Sequence, residues 1–215
     1  MRRTSTNWQG RIHLPAMRGP SRAPTSHESA VYLRAGLIDC ELCARIRAAM
    51  DAGVSEAAEV YRDGYIVDEA VRRTLDVSVD ADVVDLVQRL LDEARPEVAR
   101  FFGIPLRASE GPGFLRYRRD GFYRPHHDVG GGPGDDFPRR VSLVLFLTDG
   151  GPGPGDGLCQ GGALRLHGVR GDGREDEPFD IVPAMGTLVA FSSDVLHEVL
   201  PVTAGSRDVV VDWFY

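Results

Sequence analysis

The fold is decided by the last part of the chain, residues 186–215, which read GTLVAFSSDVLHEVLPVTAGSRDVVVDWFY. Short runs of aliphatic, β-branched and aromatic residues alternate here with glycine, serine and proline. Runs of this kind between turn residues predict β-strands. The same pattern begins near residue 112 and continues through GFLRYRR, FYRPHHD, RRVSLVLFLTD, GALRLHG and FDIVP. Many short strands joined by turns predict a β-barrel or jelly roll for the C-terminal half.

The preceding part of the chain is predicted to be largely helical. Apolar residues recur at helical spacing over about residues 38–52 and again over 80–102. Pro96 lies inside the second segment, where it predicts a kink or a split of the helix. Residues 65–79, between the two helices, are predicted to be extended or to form a strand pair.

These patterns predict one α+β domain that is mainly β. Residues 1–27 are rich in Arg, Ser, Pro and Gly without periodicity, and we expect them to be a flexible N-terminal arm. Residues 28–215 are expected to form a single domain, with helical support over 28–110 and a jelly-roll core over 111–215. Two glycine-rich loops, 129–138 and 150–162, are candidate lids or plain connectors.

Composition excludes several classes of function. The net charge of −7 shows no excess of basic residues of the kind that indicates nucleic-acid binding. No apolar run approaches the roughly 18 residues that span a bilayer, and the N-terminus has no signal-like apolar core, so we expect a cytoplasmic protein without membrane contact. The 25 basic residues are all arginine, which excludes Schiff-base and P-loop lysine chemistry.

The three cysteines are predicted to be free thiols. Cys40 and Cys43 form a C-x-x-C on the first predicted helix, without a second pair that would complete a zinc site. Cys159 stands alone, and an odd count argues against a disulfide framework. We therefore expect the helical pair to be ordinary packed cysteines.

A candidate metal site begins in FYRPHHDVGG, residues 122–131. Side chains alternate along a strand, so His126 and Asp128 would share one face while His127 points to the other. His197 follows in a later strand-like segment. Two histidines and one carboxylate that converge from separate strands make the ligand set of non-haem Fe(II), which leaves open coordination positions. The alternative is that these are unrelated polar residues at strand ends.

Arg207 provides an independent check on that hypothesis. In the final strand it alternates with Val209, Val211 and Trp213 on one face, the apolar one that would line the barrel. A cation aimed into a core without a partner is costly, so we expect an anionic ligand or a buried carboxylate beside it. The far carboxylate of 2-oxoglutarate would be such a ligand.

These motifs, RYRRDGFYRPHHD, GGALRLHG and the C-terminal stretch, resemble the prolyl 4-hydroxylase-like branch of the Fe(II)/2-oxoglutarate dioxygenases. The resemblance covers about residues 111–215 and implies a double-stranded β-helix, a jelly-roll barrel buttressed by helices. It implies a role for each matching residue, and the roles are these: iron ligands at His126, Asp128 and His197, 2-oxoglutarate binding by Arg207 and Tyr117, and substrate contact by Tyr123 and Trp213.

The sequence departs from the family at one position. Relatives that hydroxylate a transcription factor carry a tyrosine where this chain has Leu145 or Phe146. One hydroxyl to the co-substrate would then be missing, or supplied by Thr148 or Ser142. His127 is expected to face solvent or hydrogen-bond near the site, and His167 to lie on the surface.

The resemblance implies hydroxylation of an unactivated C–H bond, with Fe(II), 2-oxoglutarate and O₂ consumed or bound, succinate and CO₂ released, and ascorbate as a candidate reductant. We expect a small-molecule substrate such as an amino acid or a secondary metabolite. A proline-containing peptide or protein is the alternative within the class. A jelly-roll protein that binds metal or a carboxylate without turnover is the alternative of another class.

Overall fold

A computed structural model of the chain describes residues 30–61, 64–129, 138–151, 158–171 and 173–215. The predicted arm, residues 1–27, lies outside these ranges, as do most of the loop 129–138 and residues 152–157 of the loop 150–162. The expectations for an arm, for lids and for a single domain over 28–215 therefore stay predictions.

Within the described residues the first half of the chain alternates between helix and short strands. Its elements, in chain order, are β1 (Val31–Arg34), α1 (Cys40–Ala52), β2 (Ser55–Ala57), β3 (Val60–Tyr61), β4 (Tyr65–Ile66), β5 (Arg72–Arg73), β6 (Leu75–Val77) and α2 (Ala81–Phe102). The second half consists of strands. They are β7 (Gly113–Tyr117), β8 (Phe122–His126), β9 (Val141–Phe146), β10 (Asp149–Gly150), β11 (Leu158–Gly161), β12 (Leu164–Leu166), β13 (Phe179–Ile181), β14 (Leu188–Ser192), β15 (His197–Val199), β16 (Val202–Ala204) and β17 (Arg207–Phe214).

The larger sheet carries the helices on its outer face. Its seven strands lie in the order β1-β14-β9-β17-β7-β6-β2 and pair antiparallel. Alternate residues of β9 and β17 join the buried faces of the helices in one cluster, which includes Leu143, Leu145, Val210 and Phe214 from the strands and Ile46, Met50, Val87 and Leu91 from the helices. Each fully buried side chain of this kind stabilises the fold by about 1.5–3 kcal/mol.

The other face of the same sheet lines a second, inner core. A five-stranded antiparallel sheet, β13-β12-β15-β8-β5, contributes Leu164, Leu166 and Val199, and β17 contributes Val209. Val211 packs against this cluster while Val210 belongs to the helical one, so the alternation predicted for the last strand is confirmed. Two antiparallel sheets that share an inner core, with helices outside, are the predicted jelly-roll barrel.

The first half is less purely helical than the sequence predicted. The strands β1, β2 and β6 extend the larger sheet, and β5 forms one edge of the smaller. The predicted strand pair over residues 65–79 is present as three short strands that pair with different partners. Within the described residues no helix has the length and apolar character needed to cross a membrane.

Pro96 does not split the second helix, so that alternative is wrong, and the kink stays a prediction. Helix α2 is continuous over Ala81–Phe102 and ends at Gly103, which has the left-handed conformation (φ 66°) that favours glycine. An interior proline costs about 3 kcal/mol. Leu91 and Val98 are buried on either side of Pro96, and their packing on the sheet offsets that cost.

Candidate metal centre

Two neighbouring strands bring the predicted histidine ligands together. His126 ends β8, and its partner across the antiparallel pair is His197, the first residue of β15. Val199 pairs with Tyr123, so β8 uses one residue more than β15 between the two pairs, which is a β-bulge. The bulge puts Tyr123 and His126 on the same face although they are three residues apart. A bulge also accepts Pro125, which has no N–H to donate.

Asp128 completes the cluster from the loop that follows β8. Its Oδ1 lies 3.6 Å from Nε2 of His126, and its Oδ2 lies 3.4 Å from Nε2 of His197. One ligand atom from each of the three residues lies within 4.8 Å of the others. His197 is buried and the other two are partly buried. Two nitrogens and one carboxylate oxygen at this spacing fit a single non-haem Fe(II) ion.

Both imidazoles are oriented by main-chain carbonyl groups. Nδ1 of His126 lies 2.8 Å from the carbonyl oxygen of Arg124, and Nδ1 of His197 lies 2.9 Å from that of Val195. A carbonyl only accepts, so each Nδ1 carries the hydrogen and each Nε2 keeps its lone pair. Burial, and then the neighbouring His197, lower the pKa of His126 to about 3. His126 is therefore neutral at ordinary pH, in the form that binds a metal.

Two hydrogen-bond donors orient the carboxylate of Asp128. The Ser142 hydroxyl donates to Oδ2 at 2.8 Å, and the Trp213 indole N–H donates to the same oxygen at 2.9 Å. Burial by itself raises the pKa of Asp128. The neighbouring rings of His197 and His126 and the Trp213 N–H outweigh that effect and hold the pKa of the carboxyl well below its usual range. Asp128 is therefore ionised and fixed in orientation.

The two residues predicted to face a substrate both contact metal-binding residues. The ring of Tyr123 stacks on His126 with centroids 3.5 Å apart and an interplanar angle of 21°. The indole N–H of Trp213 donates a hydrogen bond to Asp128. The guanidinium carbon of Arg139 lies 3.7 Å from the centroid of the Trp213 ring. Their contact with a substrate stays a prediction. The structure adds an orienting contact that the sequence did not show.

Arg207 lies inside the barrel, as predicted, at the start of β17 and opposite Tyr117 of β7. It is 1% exposed, and its guanidinium carbon lies 4.9 Å from the Tyr117 ring and 5.2 Å from the Phe146 ring. Among the residues that the structure describes it has no acidic partner, and its Nε has no hydrogen-bond partner. Burial lowers the pKa of the guanidinium. A buried and unpaired cation of this kind fits a carboxylate ligand.

The two candidates for the missing hydroxyl, Ser142 and Thr148, already have hydrogen-bond partners, and the replacement stays a prediction. Phe146 stacks beside Arg207 and offers no hydrogen bond. Ser142 donates to Asp128 instead, and Thr148 accepts from the main-chain N–H of Asp208. Both hydroxyls have partners outside the place that the resemblance assigns to 2-oxoglutarate.

The other described histidines lie outside the ligand cluster. Nδ1 of His127 lies 2.7 Å from the Asp194 carbonyl oxygen, and Nε2 of His167 lies 3.2 Å from a carboxylate oxygen of Glu198. His127 therefore hydrogen-bonds next to the site, and His167 forms a partly exposed pair, as the sequence predicted.

Sequence reasoning missed the support of Asp128 by Ser142 and Trp213. The inward direction of Trp213 was visible in the alternation along β17, but its partner lies 85 residues away in the chain. It also missed Arg72, whose guanidinium lies over the ring of Tyr123. The signal for Arg72 was only a pair of arginines in an extended segment.

A His-Asp-His cluster inside a jelly roll, in the same barrel as a buried arginine without an acidic partner among the described residues, is typical of a class of non-haem iron protein. Comparisons with known proteins agree with that class. Residues 112–215 match the 2OG-Fe(II) oxygenase superfamily. A PKHD-type hydroxylase from Maricaulis maris is 36% identical over 101 residues, which are 46% of this chain and 38% of that protein.

Solved structures give the same fold over most of the chain. A prolyl-4-hydroxylase from Pseudomonas putida is 26% identical, with a TM-score of 0.65 over 86% of this chain and 91% of that one. A prolyl hydroxylase from Trichoplax adhaerens is 18% identical, with a TM-score of 0.67 over 86% of this chain and 83% of that one. Residues 112–215 therefore match a 2OG-Fe(II) oxygenase domain, and the chain has the prolyl 4-hydroxylase-like double-stranded β-helix. A domain of that superfamily implies Fe(II), 2-oxoglutarate and O₂.

Proposed function

We propose that the chain hydroxylates an unactivated C–H bond of its substrate and couples this to conversion of 2-oxoglutarate and O₂ into succinate and CO₂. The observation that carries the proposal is the cluster of His126, Asp128 and His197 in the same barrel as the buried guanidinium of Arg207, whose Nε has no hydrogen-bond partner among the described residues. The match to the oxygenase superfamily over residues 112–215 supports it.

His126, Asp128 and His197 would hold the iron. Fe(II) bound by three residues keeps positions open for a 2-oxo acid and O₂, and it supplies the oxidising chemistry. The chain contributes preformed ligands, because His126 presents a neutral Nε2 atom, His197 is oriented through its Nδ1, and the carboxylate is ionised. The Phe191 ring lies edge-on to His197, with centroids 4.7 Å apart. That contact keeps water from one side of the ligand.

Arg207 and Tyr117 would bind the far carboxylate of 2-oxoglutarate. A guanidinium can bind a carboxylate with two parallel hydrogen bonds, and the Nε of Arg207 is free for one of them. Tyr117 is 2% exposed and lies beneath the guanidinium. The apolar inner cluster around the pair lowers the local dielectric and strengthens the interaction.

For the substrate we propose a small molecule, such as an amino acid or a secondary metabolite, and a proline-containing peptide as the second candidate. The second rests on the similar structures, one of which is a prolyl hydroxylase in complex with a peptide fragment. Substrate-dependent succinate formation distinguishes them when free proline, other amino acids and proline-containing peptides are assayed side by side.

The proposal is tested without knowledge of the substrate. Under anaerobic conditions Fe(II) and then 2-oxoglutarate are added to the purified apo-protein, and the visible metal-to-ligand charge-transfer band is recorded. We expect the band in the wild type, a weaker band in Arg207→Ala and none in His197→Ala. His127→Ala is the matched control and should keep the band, since His127 lies outside the cluster. A folded wild type without a band would overturn the proposal.

Admitting O₂ separates an enzyme from a protein that only binds. An oxygenase consumes O₂ and releases succinate, slowly without substrate and faster with it. A non-catalytic jelly-roll protein would show the band and consume neither O₂ nor 2-oxoglutarate. Ascorbate is proposed as the reductant that restores Fe(II) after uncoupled turnover, so it should raise the number of turnovers before activity is lost.

A further inference from the structure

Arg72 lies on the metal-facing side of the smaller sheet. It is in β5, an edge strand, and its partner across the antiparallel pair is Tyr123 of β8. The guanidinium carbon lies 4.8 Å from the centroid of the Tyr123 ring. The same Tyr123 ring also stacks on His126, with ring centroids 3.5 Å apart. The distance from the guanidinium carbon of Arg72 to the ring centroid of His126 is therefore at most the sum of these two distances.

The guanidinium of Arg72 is held in place but incompletely bonded. One Nη donates to the carbonyl oxygen of Glu59 at 2.9 Å, and the ring of Tyr123 supports the guanidinium by a cation–π contact. Its Nε is buried, and within the part of the chain that the structure describes it has no hydrogen-bond partner. A buried N–H group without a partner is unfavourable and rare.

Two other arginines close to the site differ from Arg72 in having carboxylate partners. Arg139, above Trp213, is paired with Glu110. Arg73, the next residue along β5, lies 3.9 Å from Glu69. Arg72 has no acidic partner among the described residues, although it contributes with Arg73 to a solvent-open cleft of about 210 Å³. It thus combines a free donor with a position beside the metal ligands.

We propose that Arg72 binds a carboxylate of the substrate and so places the neighbouring C–H bond at the metal. The inference rests on the proposed function and names the substrate class within it. The free Nε and the second Nη form the fork that a carboxylate accepts with two hydrogen bonds. The carboxylate can come from a free small acid, such as an amino acid, or from an acidic residue beside the target in a peptide.

The first test uses a simple probe and no turnover. The protein is loaded anaerobically with 2-oxoglutarate and Zn(II), a diamagnetic stand-in for Fe(II), and the Nε–H signals of arginine are followed by NMR while sodium propionate is added. The signal that disappears in Arg72→Met identifies Arg72. We expect it to shift with propionate and not with propionamide. A signal that does not respond to propionate would overturn the inference.

The second test identifies the source of the carboxylate. Succinate formation is measured for free amino acids against their amides, and for proline-containing peptides with aspartate against the same peptides with asparagine. The wild type should prefer the acid in one of these two sets. Arg72→Met should lose that preference through a KM roughly tenfold to a hundredfold higher. Arg72→Lys should restore part of the affinity, because it keeps the charge without the fork.

Arg73→Met is the matched control, because it removes a neighbouring charge that already has Glu69 as a partner. We expect it to keep the acid preference. If both variants lost the acid preference equally, the preference would come from the positive charge of the region as a whole. That result would overturn the specific role of Arg72. The charge-transfer band keeps the two failures distinct: its absence in the wild type contradicts the iron and 2-oxoglutarate site, whereas a normal band with an unresponsive Arg72 contradicts only this inference.

Discussion

Replacement of Trp213 by phenylalanine tests whether the indole N–H supports the metal ligand. The substitution removes one donor from Oδ2 of Asp128 and keeps an aromatic ring under Arg139. The hydroxyl of Ser142 remains on the same oxygen, so the carboxylate loses one of two orienting bonds. We expect weaker iron binding in a protein that still folds.

The magnitude follows from the charge on the acceptor. A hydrogen bond to a charged group contributes about 1.5–3 kcal/mol, and loss of a partner behind a metal ligand lowers metal affinity about 10-fold to 100-fold. The two estimates agree, since a tenfold change in a dissociation constant corresponds to about 1.4 kcal/mol. The Kd for Fe(II) should therefore rise 10-fold to 100-fold in Trp213→Phe.

The assay is an anaerobic Fe(II) titration at saturating 2-oxoglutarate, followed by the charge-transfer band. Ser142→Ala should weaken binding by a similar factor, and the double variant should deviate from additivity because both donors share one oxygen. His127→Gln is the control and should stay within about twofold of the wild type. Wild-type iron affinity in a folded Trp213→Phe protein would refute the idea that this bond orients Asp128.

Three further predictions concern other parts of the fold. Gly162→Ala should raise the KM for 2-oxoglutarate at least about tenfold with little change in Fe(II) affinity. The new Cβ would lie 3.1 Å from Cδ of Arg207, and the residue has a φ of +64°. A 2-oxoglutarate affinity equal to that of the wild type in charge-transfer titrations would contradict this. In the native protein at pH 8 a thiol reagent should modify the exposed Cys40 and spare the buried Cys43 and Cys159. Burial raises the pKa of both buried thiols, that of Cys43 to about 11, and so keeps them protonated. Fast reaction of all three thiols would contradict this. Asp208→Asn should lower the free energy of unfolding by about 3–5 kcal/mol, because this buried carboxylate accepts from two guanidinium groups; a urea midpoint unchanged from wild type would argue against it.

The sequence predicted the His-Asp-His cluster because its signals are local. His126 and Asp128 stand two residues apart, and the alternation along the last strand could be read without any tertiary contact. The bulge in β8 could not be read, because it is defined by the register against β15. The sequence placed Asp128 on a regular strand, whereas β8 ends at His126 and Asp128 lies in the loop beyond it.

The strands that were missed lie at sheet edges. Residues Val31–Arg34 and Ser55–Ala57 are only a few residues long, and the second has little β propensity of its own. β1 becomes a strand by pairing with β14, far along the chain, and β2 by pairing with β6. Such strands depend on tertiary context rather than on composition, so no local pattern could have predicted them.

The register of β17 connects the two halves of the site. Arg207 and Trp213 lie on its inner face, so this strand carries both the proposed 2-oxoglutarate anchor and a donor to Asp128. A slip of one residue would turn both outward. On the outer face the buried carboxylate of Asp208 accepts from Arg116, and that of Asp212 accepts from Ser109. Neither acid could keep its partner after a slip, and each would then be buried without compensation. We infer that these two acids fix the register and, through it, the distance between the anchor and the metal.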